Sequence, residues 1–153
     1  MGPALLHEAM RGGVYLADEA RTVELGSGLG SVLRPPDVLL LDGPLGAGKT
    51  CLVRGILRNM GIVGPVRSPT FNLMVEYEVG FLVVHADFYR LASAAGTGIE
   101  DVLGDALCLI EWPDRLEDLV DPRKCWQVEI SRDGEGRRAW VHAPEGWSGL
   151  HHM

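Results

Sequence analysis

Gly43-Pro44-Leu45-Gly46-Ala47-Gly48-Lys49-Thr50 fits the pattern G-x-x-x-x-G-K-[ST], and the residues on either side of it decide the fold. Upstream, Val38-Leu39-Leu40-Leu41 is a short apolar run of the buried-strand type. Downstream, Leu52, Val53, Ile56, Leu57 and Met60 recur at helical spacing until Gly61 stops them. Strand, glycine loop and helix in that order predict a phosphate cradle. Glycines carry no Cβ, so successive backbone N–H groups can turn inward around phosphate oxygens, and the dipole of the following helix favours negative charge there. In such a loop Lys49 reaches the β- and γ-phosphates of a nucleoside triphosphate, and the Thr50 hydroxyl sits on Mg²⁺.

The rest of the chain is consistent with one α/β domain. At 153 residues and 46% apolar content it can bury one core, but not comfortably two. A loose lead-in is expected over 1–12, a single domain over 13–146 and a tail over 147–153, where His151 and His152 read as part of a chain end and not as a metal site. Fourteen basic against twenty-one acidic residues give a net charge of −7, which repels a phosphate backbone, so little direct nucleic-acid binding is expected. Cys51, Cys108 and Cys125 are odd in number, widely spaced and form no C-x-x-C pair, so neither a disulfide framework nor a zinc site is indicated, and a reducing compartment fits. With no targeting segment and no apolar run of membrane-spanning length, a cytoplasmic chain, monomeric on its own, is expected.

Along the chain, Val14-Tyr15-Leu16 predicts a short first strand, and Asp18-Glu19 opens a helix striped by Leu25, Leu29, Val32 and Leu33. Gly26, Gly28 and Gly30 weaken that helix by about 1 kcal/mol each, and Arg34-Pro35-Pro36 ends it. Phe71, Leu73, Val75, Tyr77 and Val79 alternate with more polar residues and predict a strand with one buried face. Gly80 then allows a return into Leu82-Val83-Val84, which runs on to His85-Ala86-Asp87-Phe88-Tyr89-Arg90. Residues 92–104 read as a loop or a poorly formed helix. Ala106 to Ile110 is a second buried strand, ending on Glu111. Trp126–Ile130 and Arg138–Val141 flank Asp133-Gly134-Glu135-Gly136 as a final hairpin.

Several residues carry candidate chemistry. An acid closing a buried strand downstream of a phosphate loop can hold Mg²⁺ directly or through water, which singles out Glu111. Trp112, next to it, is either a packing residue or part of the site. Ser68 and Thr70 in Ser68-Pro69-Thr70 form an ordinary turn or a segment sensing the γ-phosphate. Asp87 is a metal-site or water-orienting carboxylate, or it pairs with Arg90. His85 reads as structural. Cys51, near a helix start that lowers thiol pKa, is either reactive or a small buried filler, the filler being the expected role.

With these pieces in place the chain resembles the bacterial TsaE (YjeE) family, the ATPase component of tRNA threonylcarbamoyladenosine synthesis. The resemblance rests on Asp18-Glu19, Thr22 and Leu25-Gly26, the loop Leu45–Thr50, Leu52-Val53-Arg54-Gly55, Ser68-Pro69-Thr70-Phe71, Glu76-Tyr77-Glu78, Asp87-Phe88-Tyr89-Arg90 and Leu109-Ile110-Glu111-Trp112-Pro113. It implies a P-loop fold around a largely parallel central sheet with antiparallel hairpins, and ATP with Mg²⁺ as ligands. It implies an accessory ATPase, slow alone, that associates with a TsaB–TsaD pair when ATP is bound and is reset by hydrolysis. The phosphate contacts would come from Gly43, Leu45, Gly46, Ala47, Gly48, Lys49, Thr50 and Cys51, and the metal positions would be Thr50, Glu111 and Asp87. Asp87, Ser68, Thr70 and Trp112 fall where the family has residues needed for activity. Glu19 and Thr22 fall near the adenine, and Arg137 is a further nucleotide contact. Two departures bear on nucleotide affinity: Pro44 stands where the family usually has an acid, and Cys51 where it commonly has a second threonine.

A different class, a small-molecule or nucleoside kinase, would use the same loop but needs an acceptor pocket and usually an arginine-bearing lid, and residues 92–104 contain no arginine. A third reading is a binding module in which ATP is a structural ligand.

Overall fold

The apolar run before the glycine loop forms the strand on which the other parts of the site converge. In the computed structural model, which describes residues 2–44, 46–63, 66 and 73–148, this strand is β2 (Val38–Asp42), and the helix after the loop is α3 (Lys49–Asn59). Before them come α1 (Gly2–Arg11), β1 (Val14–Leu16) and α2 (Glu19–Gly30). After them come β3 (Met74–Glu78), β4 (Leu82–Asp87), β5 (Leu107–Glu111), β6 (Trp126–Asp133) and β7 (Gly136–His142).

The seven strands lie in the order β1-β7-β6-β2-β5-β4-β3. β2 pairs parallel with both β5 and β6, and β5 pairs parallel with β4, whereas β3, β7 and β1 attach by antiparallel pairing at the two margins. The centre of the sheet is therefore parallel and buried on both faces, and for this reason β2 and β5 read as unbroken apolar runs without alternation. Because the order reverses on either side of β2, the carboxyl ends of β2, β5 and β4 open onto one crevice, the place where α/β sheets bind ligands.

Alternation along the strands separates two apolar clusters. Leu39, Leu41, Val83, Leu107 and Leu109 pack toward α1, α2 and α3, while Val38, Leu40, Val84, Cys108 and Ile110 pack toward the opposite cover. That cover contains no α-helix among the described residues. It consists of connecting loops and 3₁₀ turns at Ile99–Asp101, Pro113–Leu119 and Pro122–Lys124. The loop or poorly formed helix expected over 92–104 takes this form, with Gly96, Gly98 and Gly104 at positive φ.

Three expectations change. Residues 2–11, expected as a loose lead-in, form α1, which buries Leu5, Leu6 and Ala9 against the helical face. Trp147, assigned to the tail, stacks edge-on against Trp126 with ring centroids 4.8 Å apart, so packed structure extends past 146. α2 stops at Gly30, before Arg34-Pro35-Pro36, with Ser31 at its C-cap donating its hydroxyl to the Gly28 carbonyl at 2.6 Å. Its glycines have a packing purpose that propensity does not show: a Cβ on Gly26 would collide with the Leu52 carbonyl oxygen, and one on Gly55 with the Val23 carbonyl oxygen. The strand predicted from Phe71 is described only from Met74, because residues 67–72 lie outside the described residues. No helix among the described residues is long and apolar enough to cross a membrane.

Candidate nucleotide site

The glycine loop leaves β2 at Asp42 and enters α3 through Gly48, which caps the helix in the left-handed region at φ 108°. Gly46 is also left-handed at φ 77°. A Cβ at Gly43 would strike the Ile130 carbonyl oxygen, so the loop is pressed against β6 and its path is set by that strand. Two arginines of the β6–β7 hairpin hold it as well. Arg137 donates to the Ala47 carbonyl at 2.8 Å and to the Gly46 carbonyl at 3.2 Å, and Arg132 donates to the Gly46 carbonyl at 3.3 Å. Within the loop the Ala47 amide donates to the Pro44 carbonyl at 3.2 Å.

Lys49 is 4% exposed, and its ammonium is satisfied locally. Nζ donates to the Gly43 carbonyl at 2.5 Å, lies 4.0 Å from Glu111 Oε1, and sits over the Trp112 ring at 4.7 Å. Parallel pairing brings the acids into place: Leu41 and Asp87 are both register partners of Glu111 across adjacent strands. Glu111, itself 4% exposed, accepts a hydrogen bond at Oε2 from the fully buried His85, whose Nε2 is 2.7 Å away. Asp87 is half-buried, and its Oδ1 accepts the Tyr89 amide at 3.0 Å. Of the two roles open to Asp87, pairing with Arg90 is not adopted, since no such ion pair exists among the described residues.

Trp112 takes part in both packing and the site. It adopts φ 60°, unusual for a bulky residue, stacks on Tyr89 at 4.8 Å and roofs the Lys49 ammonium. Its Nε1 is buried without a hydrogen-bond partner among the described residues.

A cavity of 350 Å³ lies before the loop and is lined by Gly46, Gly48, Lys49, Thr50, Cys51, Asp87, Glu111, Arg137 and Glu19. It adjoins a second cavity of 160 Å³ that shares Glu19, Gly48, Cys51 and Arg137 with it and adds Thr22. Glu19 accepts from Cys51 Sγ at 3.1 Å and from Arg54 at 2.9 Å, and these two donors hold its carboxyl below the usual range. Of the two roles open to Cys51, the same contact disfavours the reactive one. Burial first, and then the Glu19 carboxylate, push its thiol above the ordinary value despite the helix start, so it is a neutral donor and not an activated nucleophile. A separate cavity of 210 Å³ beyond Asp42 is lined by Asp42, Asp114, Glu117 and Glu129, whose charge repels phosphate.

Thr50, Asp87 and Glu111 offer this cavity a hydroxyl and two carboxylates, which are hard oxygens, while Glu19 and the Cys51 thiol in the same lining are engaged with each other and Glu19 also with Arg54. Mg²⁺ is typically held by one or two carboxylates together with phosphate oxygens and waters, so Thr50, Glu111 and Asp87 fit that ion and do not suit a softer metal. Among the described residues no group of three or more His, Cys, Asp or Glu could hold a metal ion by itself. The structure thus brings Gly43, Gly46, Ala47, Gly48, Lys49, Thr50, Cys51, Glu19, Thr22, Arg137, Asp87, Glu111 and Trp112 to one crevice. Leu45, Ser68 and Thr70 lie outside the described residues. His85 and Arg132 join the site without having been expected there. Two residues before Asp87 on β4, His85 lies on the same strand face as that acid, the only local signal for it.

Comparison with known proteins points to one family. The family model described as "Threonylcarbamoyl adenosine biosynthesis protein TsaE" matches residues 16–140. A Nostoc protein named tRNA threonylcarbamoyladenosine biosynthesis protein TsaE is 40% identical over 135 residues, covering 82% of this chain and 81% of that one. A Bacillus subtilis protein of the same name is 38% identical over 108 residues, covering 69% and 68%. The crystal structure of Bacillus subtilis YdiB superposes with a TM-score of 0.75 at 26% identity, covering 92% of this chain and 90% of that one.

Proposed function

The chain belongs to the TsaE family, and from that membership together with the geometry of its crevice we propose that it binds and hydrolyses ATP with Mg²⁺ in support of threonylcarbamoyladenosine modification of tRNA beside the anticodon. It acts in the cytoplasm through nucleotide-gated association with a TsaB–TsaD pair, which carries out the transfer. The observation that carries this reading is the convergence of Lys49, Thr50, Asp87 and Glu111 on one cavity at the start of α3.

In this mechanism the loop amides and the N-terminus of α3 receive the phosphates. Lys49 exchanges its Gly43 carbonyl and Glu111 contacts for phosphate oxygens and offsets their charge. Thr50, Glu111 and Asp87 hold Mg²⁺, which when bound neutralises charge on the phosphate oxygens. Asp87, with Ser68 and Thr70, orients the attacking water. Glu19, Thr22 and Arg137 line the smaller cavity and take the nucleoside end. Because the phosphates would draw Lys49 from beneath Trp112, the stacked Trp112–Tyr89 pair, with Tyr89 43% exposed, is the element through which nucleotide state alters the surface a partner meets. The acidic chain leaves tRNA contact to its partners.

The test measures ATP hydrolysis, and capture of the TsaB–TsaD pair, with ATP, ADP and no nucleotide. Capture that strengthens with ATP and disappears in Lys49→Ala is expected. Undiminished assembly of Lys49→Ala would overturn the gating, and absence of Mg²⁺-dependent ATP binding by the wild type would overturn the nucleotide reading.

A further inference from the structure

His85 is fully buried on β4, and its Nε2 lies 2.7 Å from Glu111 Oε2, while its Nδ1 meets no hydrogen-bond partner among the described residues. A carboxylate can only accept, so the proton of this bond must sit on Nε2. A neutral imidazole then has Nδ1 as its bare acceptor, the one ring atom that can remain unpaired at moderate cost. The opposite tautomer would set a lone pair against the carboxylate and bury an unpaired N–H. The contact follows from strand alternation and register. Val83, His85 and Asp87 share one face of β4, and His85 pairs in register with Leu109, two residues before Glu111 on the same face of β5.

From this geometry we infer that His85 is a positioning residue for the metal-site acid: by holding Oε2 it fixes the rotation of the Glu111 carboxylate, so that Oε1 stays turned toward Lys49 and the cavity. The terminal torsion of a glutamate is soft and roughly two-fold, so an unanchored carboxylate would spread its oxygens over a broad arc. Anchoring one oxygen places the other. Oε1 lies 4.0 Å from Lys49 Nζ, on the side where phosphate and Mg²⁺ are proposed to enter. Partners of this kind orient metal-binding groups, and their loss typically costs 10–100-fold in metal affinity or activity. The inference rests on the nucleotide reading above.

The experiment measures ATP affinity by calorimetry with Mg²⁺ and again with EDTA, in wild type, His85→Leu, His85→Gln, Glu111→Gln and the His85→Leu/Glu111→Gln double variant. Wild type gains affinity from Mg²⁺. His85→Leu loses about 10-fold or more of that gain while its affinity in EDTA changes less than about threefold, because the loop and Lys49 are intact. His85→Gln, which presents an amide N–H at similar reach, recovers most of the gain. In the Glu111→Gln background, His85→Leu changes the remainder by less than about twofold, as it must if it acts through that acid. The inference is overturned if His85→Leu keeps the full gain, if it loses equally in both backgrounds, or if affinity falls equally in EDTA. A ¹⁵N spectrum of the wild-type imidazole provides a check that requires no variant to fold: a proton on Nε2 is expected, and one on Nδ1 overturns the contact. A wild type that binds ATP with no gain from Mg²⁺, or does not bind it, instead brings down the nucleotide reading and this inference with it.

Discussion

On one face of the sheet α2 and α3 meet backbone to backbone at Gly26 and Gly55, whereas on the other residues 88–106 and 112–124 close the core with loops and 3₁₀ turns that hold Trp112 at φ 60° and Glu117 at φ 51°. The helical face is regular and tightly fitted. The irregular face contains the buried thiols Cys108 and Cys125 and both positive-φ non-glycine residues found among the described residues. Backbone strain costs free energy, and it persists only where surrounding structure holds it. The difference teaches that this chain draws rigidity from its helical face and keeps its adaptable segment beside the strand ends, where Asp87, Glu111 and Trp112 meet the phosphate loop.

The severest way to break this comparison is to place a side chain in the helix crossing. Gly55→Val drives atoms into the Val23 carbonyl and should cost at least about 3 kcal/mol. A denaturation midpoint equal to that of the wild type would mean that the helical face is not the rigid one. The next effect separates the faces by pH. Burial pushes the Cys108 thiol up to about 12 and the Cys125 thiol up to about 11, from an ordinary value of 9.0. The folded state therefore keeps both protonated where the unfolded chain has released its protons. Their contribution is complete below pH 9 and lost as pH rises toward 12. For Cys108 alone the loss is on the order of 2 kcal/mol at pH 11. A Cys108→Ala/Cys125→Ala variant, less stable at neutral pH because of the cavities left, should show a flatter alkaline limb in urea denaturation between pH 9 and 11. An unchanged slope would remove the thiols from the account.

A smaller effect tests the strain directly. Exposed Glu117 occupies a backbone region that glycine adopts freely, so Glu117→Gly should raise stability by about 1 kcal/mol and Glu117→Ala should not. The ordinary order, with alanine the more stable, would show that the irregular cover is relaxed. Least of all, Arg132→Ala removes one exposed bond to the loop and should weaken ATP binding about threefold or less, while Arg137→Ala, which removes two, should weaken it about tenfold, both read by calorimetry. Equal effects would show that the hairpin does not brace the loop through Arg137.

Much of this molecule is readable without coordinates, because local patterns carry it. The strand-loop-helix order at 38–60, the acid closing 106–110 and the hairpin around Gly134 all appear where periodicity and turn residues place them. α1 left a signal too, in Leu5, Leu6 and Ala9 at helical spacing, which the expectation of a loose lead-in passed over. The glycines of α2 mislead in the other direction. Propensity counts them as weakness, whereas the crossing with α3 requires two of them.

The sequence by itself determined that a glycine loop joins a strand to a helix, that an acid closes a buried strand, and that the chain carries a net negative charge. Each of these is a property of neighbouring residues or of total charge. Only the tertiary structure decided that His85 holds Glu111, that Cys51 donates to Glu19 and that Arg132 and Arg137 tie down the loop. These contacts join residues from 26 to 91 positions apart, and strand register and helix crossing, which no local pattern encodes, bring them together.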